Sequence, residues 1–141
     1  MPTDQQIALV QDTWNAVAPI SDQASDIFYN RLFEIEPSVR PLFPEDMSEQ
    51  KKKLMQTLAV CVNGLKNFET IQNAVVELGK RHVDYDVKDE HYEVVGNALL
   101  YTLMVGLGDR FTSEVQDAWA DTYQTLATIM IEAGNQARAA S

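Results

Sequence analysis

The sequence predicts an all-α fold folded as one domain. Apolar residues recur at three- and four-residue steps along nearly the whole chain, and polar capping residues break them into segments. No pair of alternating runs reads as a strand hairpin. At 141 residues the chain is long enough to bury one substantial core and short for two. No linker, repeat or low-complexity block divides it, so residues 1–141 are read as a single domain.

Thr3 and Gln6 have the spacing of a capping box, after which Ile7, Val10, Trp14 and Val17 form the stripe of a first helix that Pro19 ends. A second helix starts near Ser21 and carries Ala24, Phe28, Leu32 and Ile35. Pro37, Pro41 and Pro44 then permit short turns and corners but no long helix. Ser48 is placed to cap a third helix, with Leu54, Leu58, Cys61 and Leu65 on one line. Asn63-Gly64 lies inside that pattern, so it marks the helix end together with Asn67 rather than a hairpin. Ile71, Val75 and Leu78 define a fourth helix, and Asp84 to Glu90 read as a loop. A fifth helix runs from about His91 to Leu107 through Val95, Ala98, Leu99, Thr102 and Leu103, and Gly106 and Gly108 are expected to end it. The sixth begins near Thr112, with Ser113 and Gln116 as a second capping box, and carries Val115, Trp119, Tyr123, Leu126, Met130 and Ala133. From Gly134 the tail is small and polar, and residues 136–141 are expected to fray.

Composition removes whole classes of function. With 45% hydrophobic and 23% charged residues the chain is neither disordered nor fibrous. No apolar run approaches the roughly 18–20 residues of a membrane span, so no membrane partner is expected. Met1-Pro2-Thr3-Asp4 shows neither a basic nor a hydrophobic block, so no signal peptide is read and a cytoplasmic location is expected. Eleven Lys and Arg against 21 Asp and Glu give a net charge of −10, which repels phosphate backbones and argues against nucleic acid as a partner. One cysteine, Cys61, and two histidines, His82 and His91, leave no material for a disulfide framework or a multi-cysteine or multi-histidine metal site. Phosphate-loop, nucleophile-elbow, zincin and three-glycine dinucleotide signatures are absent, as is a Glu-x-x-His pair. Asp84, Asp86 and Lys88 imitate the start of an EF-hand loop, but Asp89 stands where glycine is needed and Val95 where the bidentate glutamate belongs.

Two polar residues break the pattern. His82 falls four residues after Leu78, so its imidazole points to the apolar side of the fourth helix. Gln50 lies four residues before Leu54, on the line through Leu58 and Cys61. An inward polar group needs a partner. Each alone is satisfied by a bland reading, a hydrogen-bonded core histidine and an ordinary first-turn glutamine. Together, on successive helices, they fit a metal cofactor held between those helices.

The residues that carry a family resemblance are Trp14, Phe28-Tyr29, Pro37, Leu42-Phe43, Gln50, Lys53-Leu54, Leu78-Gly79-Lys80-Arg81-His82, His91-Tyr92, Val95-Gly96, Ala118-Trp119 and Tyr123. The chain resembles a bacterial single-domain globin, similar to the haem domain of flavohaemoglobins, from about Ile7 to Glu132. The resemblance implies a three-over-three helical sandwich around haem b, iron protoporphyrin IX. With no Cys-x-x-Cys-His motif, that haem is expected to be held non-covalently.

By the same resemblance His82 is the proximal iron ligand, its second ring nitrogen donating to a carbonyl or hydroxyl that fixes the tautomer. Phe43 packs flat on the porphyrin, Leu54 meets the gaseous ligand, and Leu78, Tyr92 and Val95 line the haem. Tyr29 and Gln50 form the distal pocket, where each donates a charge-assisted hydrogen bond to bound dioxygen worth roughly 1.5–3 kcal/mol. A competing reading makes Tyr29 a core aromatic with its hydroxyl on a helix carbonyl. Lys53 and Arg81 stand where a cation meets a haem propionate, although plain solvated charge explains them too. The Lys51-Lys52-Lys53 run and His91 are read as surface residues, and Cys61 as a small buried hydrophobe.

The sequence departs from the flavohaemoglobin pattern in two places. Tyr92 stands at the proximal tyrosine, but the place of the glutamate that accompanies it falls on Gly134, and Glu132, two residues earlier, points about 200° away around the helix. The reductase that follows the globin in flavohaemoglobins is not in this sequence, so redox turnover is expected to need a separate reductase as electron donor. The function implied is reversible dioxygen binding, with conversion of dioxygen and nitric oxide to nitrate as the enzymatic possibility. Alternatives are a haem-based gas sensor or interaction module acting through a separate partner, and a helical protein that keeps the outline without haem.

Overall fold

The computed structural model describes residues 2–84 and 87–140. Among them six α-helices follow one another: α1 (Asp4–Val17), α2 (Ser21–Ile35), α3 (Ser48–Asn63), α4 (Glu69–Asp84), α5 (Asp89–Leu107) and α6 (Ser113–Ala140). Short 3-10 turns fill the junctions at Ala18–Ile20, Pro37–Leu42, Leu65–Asn67 and Gly108–Arg110. The helices pair as α1 on α6, α2 on α5 and α4 on α6, with α2 crossing α3. This is the helical sandwich that the resemblance implies.

The helix starts show where local chemistry decided the boundary. Thr3 and Gln6 form the expected capping box, Thr3 Oγ1 accepting from Gln6 N at 3.1 Å and Gln6 Oε1 from Thr3 N at 2.9 Å. Ser48 does not cap α3. It is the first helical residue, and its N–H donates to Asp46 Oδ1 at 3.0 Å, so the carboxylate two residues upstream serves instead. The cap of α6 is likewise one residue earlier than the Ser113 box: Thr112 Oγ1 accepts from Val115 N at 3.2 Å.

Gly106 lies within α5, and only Gly108 ends it, at φ +57° where a side chain would be strained. The α4–α5 connection is shorter than expected, since α5 already begins at Asp89; Asp86 of the failed EF-hand spacing lies outside the described residues. Gly134 does not end α6, which continues through it to Ala140. Gly134 is not a breaker there but a close-packing position: a Cβ on it would lie 2.9 Å from Val83 Cγ2.

The core is in two parts. The larger joins α1, α2, α3, α5 and the first half of α6 through Val10, Trp14, Phe28, Leu32, Val62, Leu103 and Trp119. Each such side chain contributes roughly 1.5–3 kcal/mol by leaving water. Trp119 Nε1 is satisfied by Thr13 Oγ1 at 2.8 Å, and its ring centroid lies 6.3 Å from that of Trp14. The smaller cluster, Cys61, Ile71 and Val75 with Phe68, Leu126, Ile129 and Met130, holds α4 against the second half of α6. Contact there is intimate, because a Cβ on Gly79 would sit 2.5–2.9 Å from the Met130 backbone. Helix α4 therefore rides on α6 and touches α3 far less, with Cys61 of α3 in the shared cluster.

Candidate functional site

Between α2, α3 and the corner that joins them the sequence has built an aromatic group around Tyr29. Tyr29 is buried in α2 one helical turn before Phe33, and its ring meets Phe28 edge-on at 4.9 Å and Phe43 edge-on at 5.6 Å. Phe33 and Phe43 are 5.5 Å apart. The proline-rich corner that presents Phe43 is held by Arg40, whose guanidinium donates to the carbonyls of Phe43 at 3.3 Å and Pro44 at 3.0 Å. Its charge also lies 5.0 Å from the Phe33 ring centroid.

Gln50, in the first turn of α3, donates from Nε2 to the Tyr29 hydroxyl at 3.2 Å. Among the described residues no acceptor takes the phenolic proton in return. Burial raises the Tyr29 pKa, with the Gln50 bond acting the other way, so the phenol stays protonated and remains a donor. The competing reading, a hydroxyl satisfied on a helix carbonyl, is not what the structure shows. A salt bridge of 2.7 Å between Lys51 and Asp26 ties α3 to α2 beside this pair, so Lys51 is not the free surface charge the sequence suggested.

His82 lies half-buried near the end of α4, with Nδ1 2.7 Å from the Leu78 carbonyl. A carbonyl only accepts, so Nδ1 carries the proton and Nε2 the lone pair. Burial lowers the pKa of the ring; the Leu78 bond opposes that shift and the charge of Arg81 adds to it. A neutral imidazole of fixed tautomer is the form that ligates a metal. The buried Tyr92 stacks on His82 at 6.1 Å, and burial first, then the charge of Asp89, push its phenol up to about 12, partly offset by Arg138.

Leu54 and Val95 are half-buried against the larger core, and Leu78 is half-buried on α4. Lys53 and Arg81 are exposed, and among the described residues neither forms an ion pair. Gly134 is buried and Glu132 exposed, so no glutamate of α6 joins Tyr92 beside the histidine. His91 is half-buried rather than on the surface; its Nδ1 accepts from Lys88 N at 3.0 Å and so helps to start α5. Cys61 is buried as expected, which raises its pKa and keeps it a thiol. Phe33 and Arg40 were not picked out by the sequence, although Phe33 stands four residues after Tyr29 on the same helical face.

These residues suit a haem. They offer a neutral imidazole, a wall of half-buried aliphatics and a buried phenol with a proton to give. The sequence model of the globin family matches residues 26–130, most of the chain. The chain belongs to the globin family.

This globin is 28% identical over 137 residues to the flavohemoprotein of Vibrio cholerae, covering 94% of the chain and 34% of that protein. It is 27% identical over 143 residues to neuroglobin-1 of Oncorhynchus mykiss, covering 91% and 89%. Among solved structures, the bacterial globin of Campylobacter jejuni superposes with a TM-score of 0.80 at 26% identity, covering 95% of this chain and 97% of that one. An engineered carbene transferase made from a candidate nitric oxide dioxygenase of Rhodothermus marinus gives 0.90 at 26% identity, covering 99% and 98%. The chain spans about a third of the length of the flavohemoproteins it matches. Globins hold haem and bind small gaseous ligands, and this globin shares that fold throughout. Among the described residues no helix is long and apolar enough to cross a membrane.

Proposed function

We propose that this globin holds haem b non-covalently through His82 Nε2 and binds dioxygen beneath Tyr29 and Gln50. Haem supplies the iron that takes the gas and, given an electron donor, the redox change. The protein supplies everything else. His82, its tautomer set by Leu78, presents a neutral nitrogen. Leu54 and Val95, with the ring of Phe43, would shield the cofactor from water, while the exposed Lys53 and Arg81 would meet its acidic groups. Tyr29 holds its proton on Oη, where it would be available as a hydrogen bond to a gaseous ligand, with Gln50 fixing the phenol's direction.

The observation that carries this reading is the Gln50–Tyr29 bond over a buried phenol. We further propose that, with a separate reductase, the same pair orients dioxygen for reaction with nitric oxide, a conversion to nitrate that consumes one electron. The relatives named as flavohemoproteins and the Rhodothermus marinus neighbour support that step.

Reconstitution tests the first part: the purified chain with haemin is expected to show a Soret band, and no band would remove the proposal. Following nitrate after mixing the oxygenated protein with nitric oxide tests the second. Wild-type protein is expected to react faster than Tyr29→Phe, and equal rates would remove the dioxygenase assignment.

A further inference from the structure

Arg138 stands in the last turns of α6, and its guanidinium reaches back to the connection between α4 and α5. Nη2 donates to the Val87 carbonyl at 2.9 Å; Nη1 lies 3.0 Å from Asn135 Oδ1 and 3.4 Å from Asp89 Oδ1. The Val87 N–H donates in turn to the His82 carbonyl at 3.0 Å. Val87 is therefore gripped at both ends of its backbone, its carbonyl by α6 and its amide by the histidine. His82 is also bonded through Nδ1 to Leu78, one turn back.

The last four carbonyls of a helix lack partners within it, and that of His82 is one of them, since α4 ends at Asp84. Its orientation depends on what lies beyond the helix. Arg138 reaches this connection from another element, with the planar, multi-donor head that holds a carbonyl and a carboxylate in fixed directions. The arginine arrives there only because α6 stays helical past Gly134.

We propose that Arg138 is a positioning residue for the His82 imidazole: by fixing Val87 it fixes the backbone of His82, and with it the angle and retention of the histidine–haem bond. The inference rests on His82 being the haem ligand. The Arg138 and Asp89 side chains are 41% and 51% exposed. Exposed pairs add little to folding stability, so the effect belongs to the haem bond and not to the melting temperature of the apoprotein.

The test uses the full chain reconstituted with haemin, as wild type, Arg138→Ala, Arg138→Lys and a control, Gln6→Ala. The control cuts a different tether of α6, the Gln6–Asp121 bond at 2.7 Å, together with the Gln6 half of the α1 capping box, both far from the histidine in sequence. Two quantities are read: the rate of haemin transfer to excess apomyoglobin, and the iron–histidine stretching band of the ferrous protein. Arg138→Ala is expected to lose haemin about tenfold faster, at the lower end of what outer partners of metal-ligating histidines are worth, and to shift or broaden the band. Arg138→Lys, which can still donate to Val87, is expected to recover most of the loss, and Gln6→Ala to leave both quantities unchanged. An unchanged rate and band in Arg138→Ala, or an equal change in Gln6→Ala, overturns the inference while leaving His82 as the ligand. A wild-type chain that takes up no haemin, or whose band survives His82→Ala, overturns the underlying reading and this one with it.

Discussion

Gln50 Nε2 meets the Tyr29 hydroxyl at 3.2 Å as donor to acceptor, so the glutamine occupies a lone pair of the phenol and leaves its proton unspent. Were the direction reversed, the tyrosine would satisfy the amide carbonyl and have nothing to offer a ligand. Burial of the phenol, which raises its pKa, keeps that proton in place at all ordinary pH. The pair is thus a donor aimed by its neighbour.

Tyr29→Phe removes the donor and keeps the ring among Phe28, Phe33 and Phe43. A hydrogen bond to a ligand carrying partial charge is worth roughly 1.5–3 kcal/mol, so oxygen is expected to leave about ten- to a hundredfold faster. Stopped-flow displacement of oxygen by carbon monoxide measures it. Gln50→Leu leaves the phenol present but undirected, and is expected to fall between wild type and Tyr29→Phe. An off-rate in Tyr29→Phe equal to wild type would mean the proton points elsewhere.

Acid should loosen the haem-free chain through His82. Its folded pKa lies below the ordinary 6.5, so between the two values the unfolded chain binds the extra proton and the folded chain does not. Stability contributed in this way is full above about pH 6.5 and falls as pH drops through that value toward the lowered folded pKa. Urea titrations of apoprotein from about pH 7.5 to about pH 5 are expected to show this slope, and His82→Leu to flatten it. Parallel slopes in the two proteins would place the titration elsewhere.

Most of the scaffold was readable in advance because its signals are local. Helical periodicity, the Thr3–Gln6 box and the proline cluster each act within a few residues, and the structure follows them. His82 and Gln50 were found for a related reason: a polar residue on an apolar line is anomalous in one dimension as well as three. What escaped depends on contact between distant segments. Gly134 read as a helix end because a glycine without context suggests one, whereas its use is to let Val83 approach. Arg138 sits 51 residues from Val87, and Asp26 has no sequence signal that would match it with Lys51. Cap positions slipped by a residue or two, at Asp46 and Thr112, because several short polar side chains competed for the same amides.

Two glycines on the α4–α6 contact should differ in their tolerance of a methyl group. On Gly79 a Cβ would strike the Met130 backbone at 2.5–2.9 Å, which cannot move without shifting α6. Gly134 would strike Val83 Cγ2 at 2.9 Å, a side-chain methyl that can rotate. Gly79→Ala is expected to cost about 1–3 kcal/mol and to weaken haemin binding by displacing the helix that carries His82. Gly134→Ala, relieved by rotation and helped by the better helix propensity of alanine, is expected to cost less than about 1 kcal/mol. Urea denaturation of the two variants, with haemin titration, decides the order; a reversed order would contradict the packing of α4 on α6.

Thr13 and Trp119 allow the fold to be perturbed without touching the site. The buried indole N–H donates to Thr13 Oγ1 at 2.8 Å, and that hydroxyl donates its own proton to the Leu9 carbonyl at 2.7 Å. Thr13→Val keeps the shape and takes away the acceptor, leaving a buried indole donor unpaired at a cost of about 1–3 kcal/mol. Thr13→Ser keeps the hydroxyl and is expected to cost less than about 1.5 kcal/mol, for one lost methyl group. The difference between the two variants in urea midpoint, at unchanged slope, isolates the hydrogen bond from the packing. Because neither Thr13 nor Trp119 takes part in the Gln50–Tyr29 hydrogen bond, oxygen release from Thr13→Val is expected to match wild type. Release that changed in step with stability would show that the distal pair, whose Tyr29 lies in the same larger core, depends on this bond.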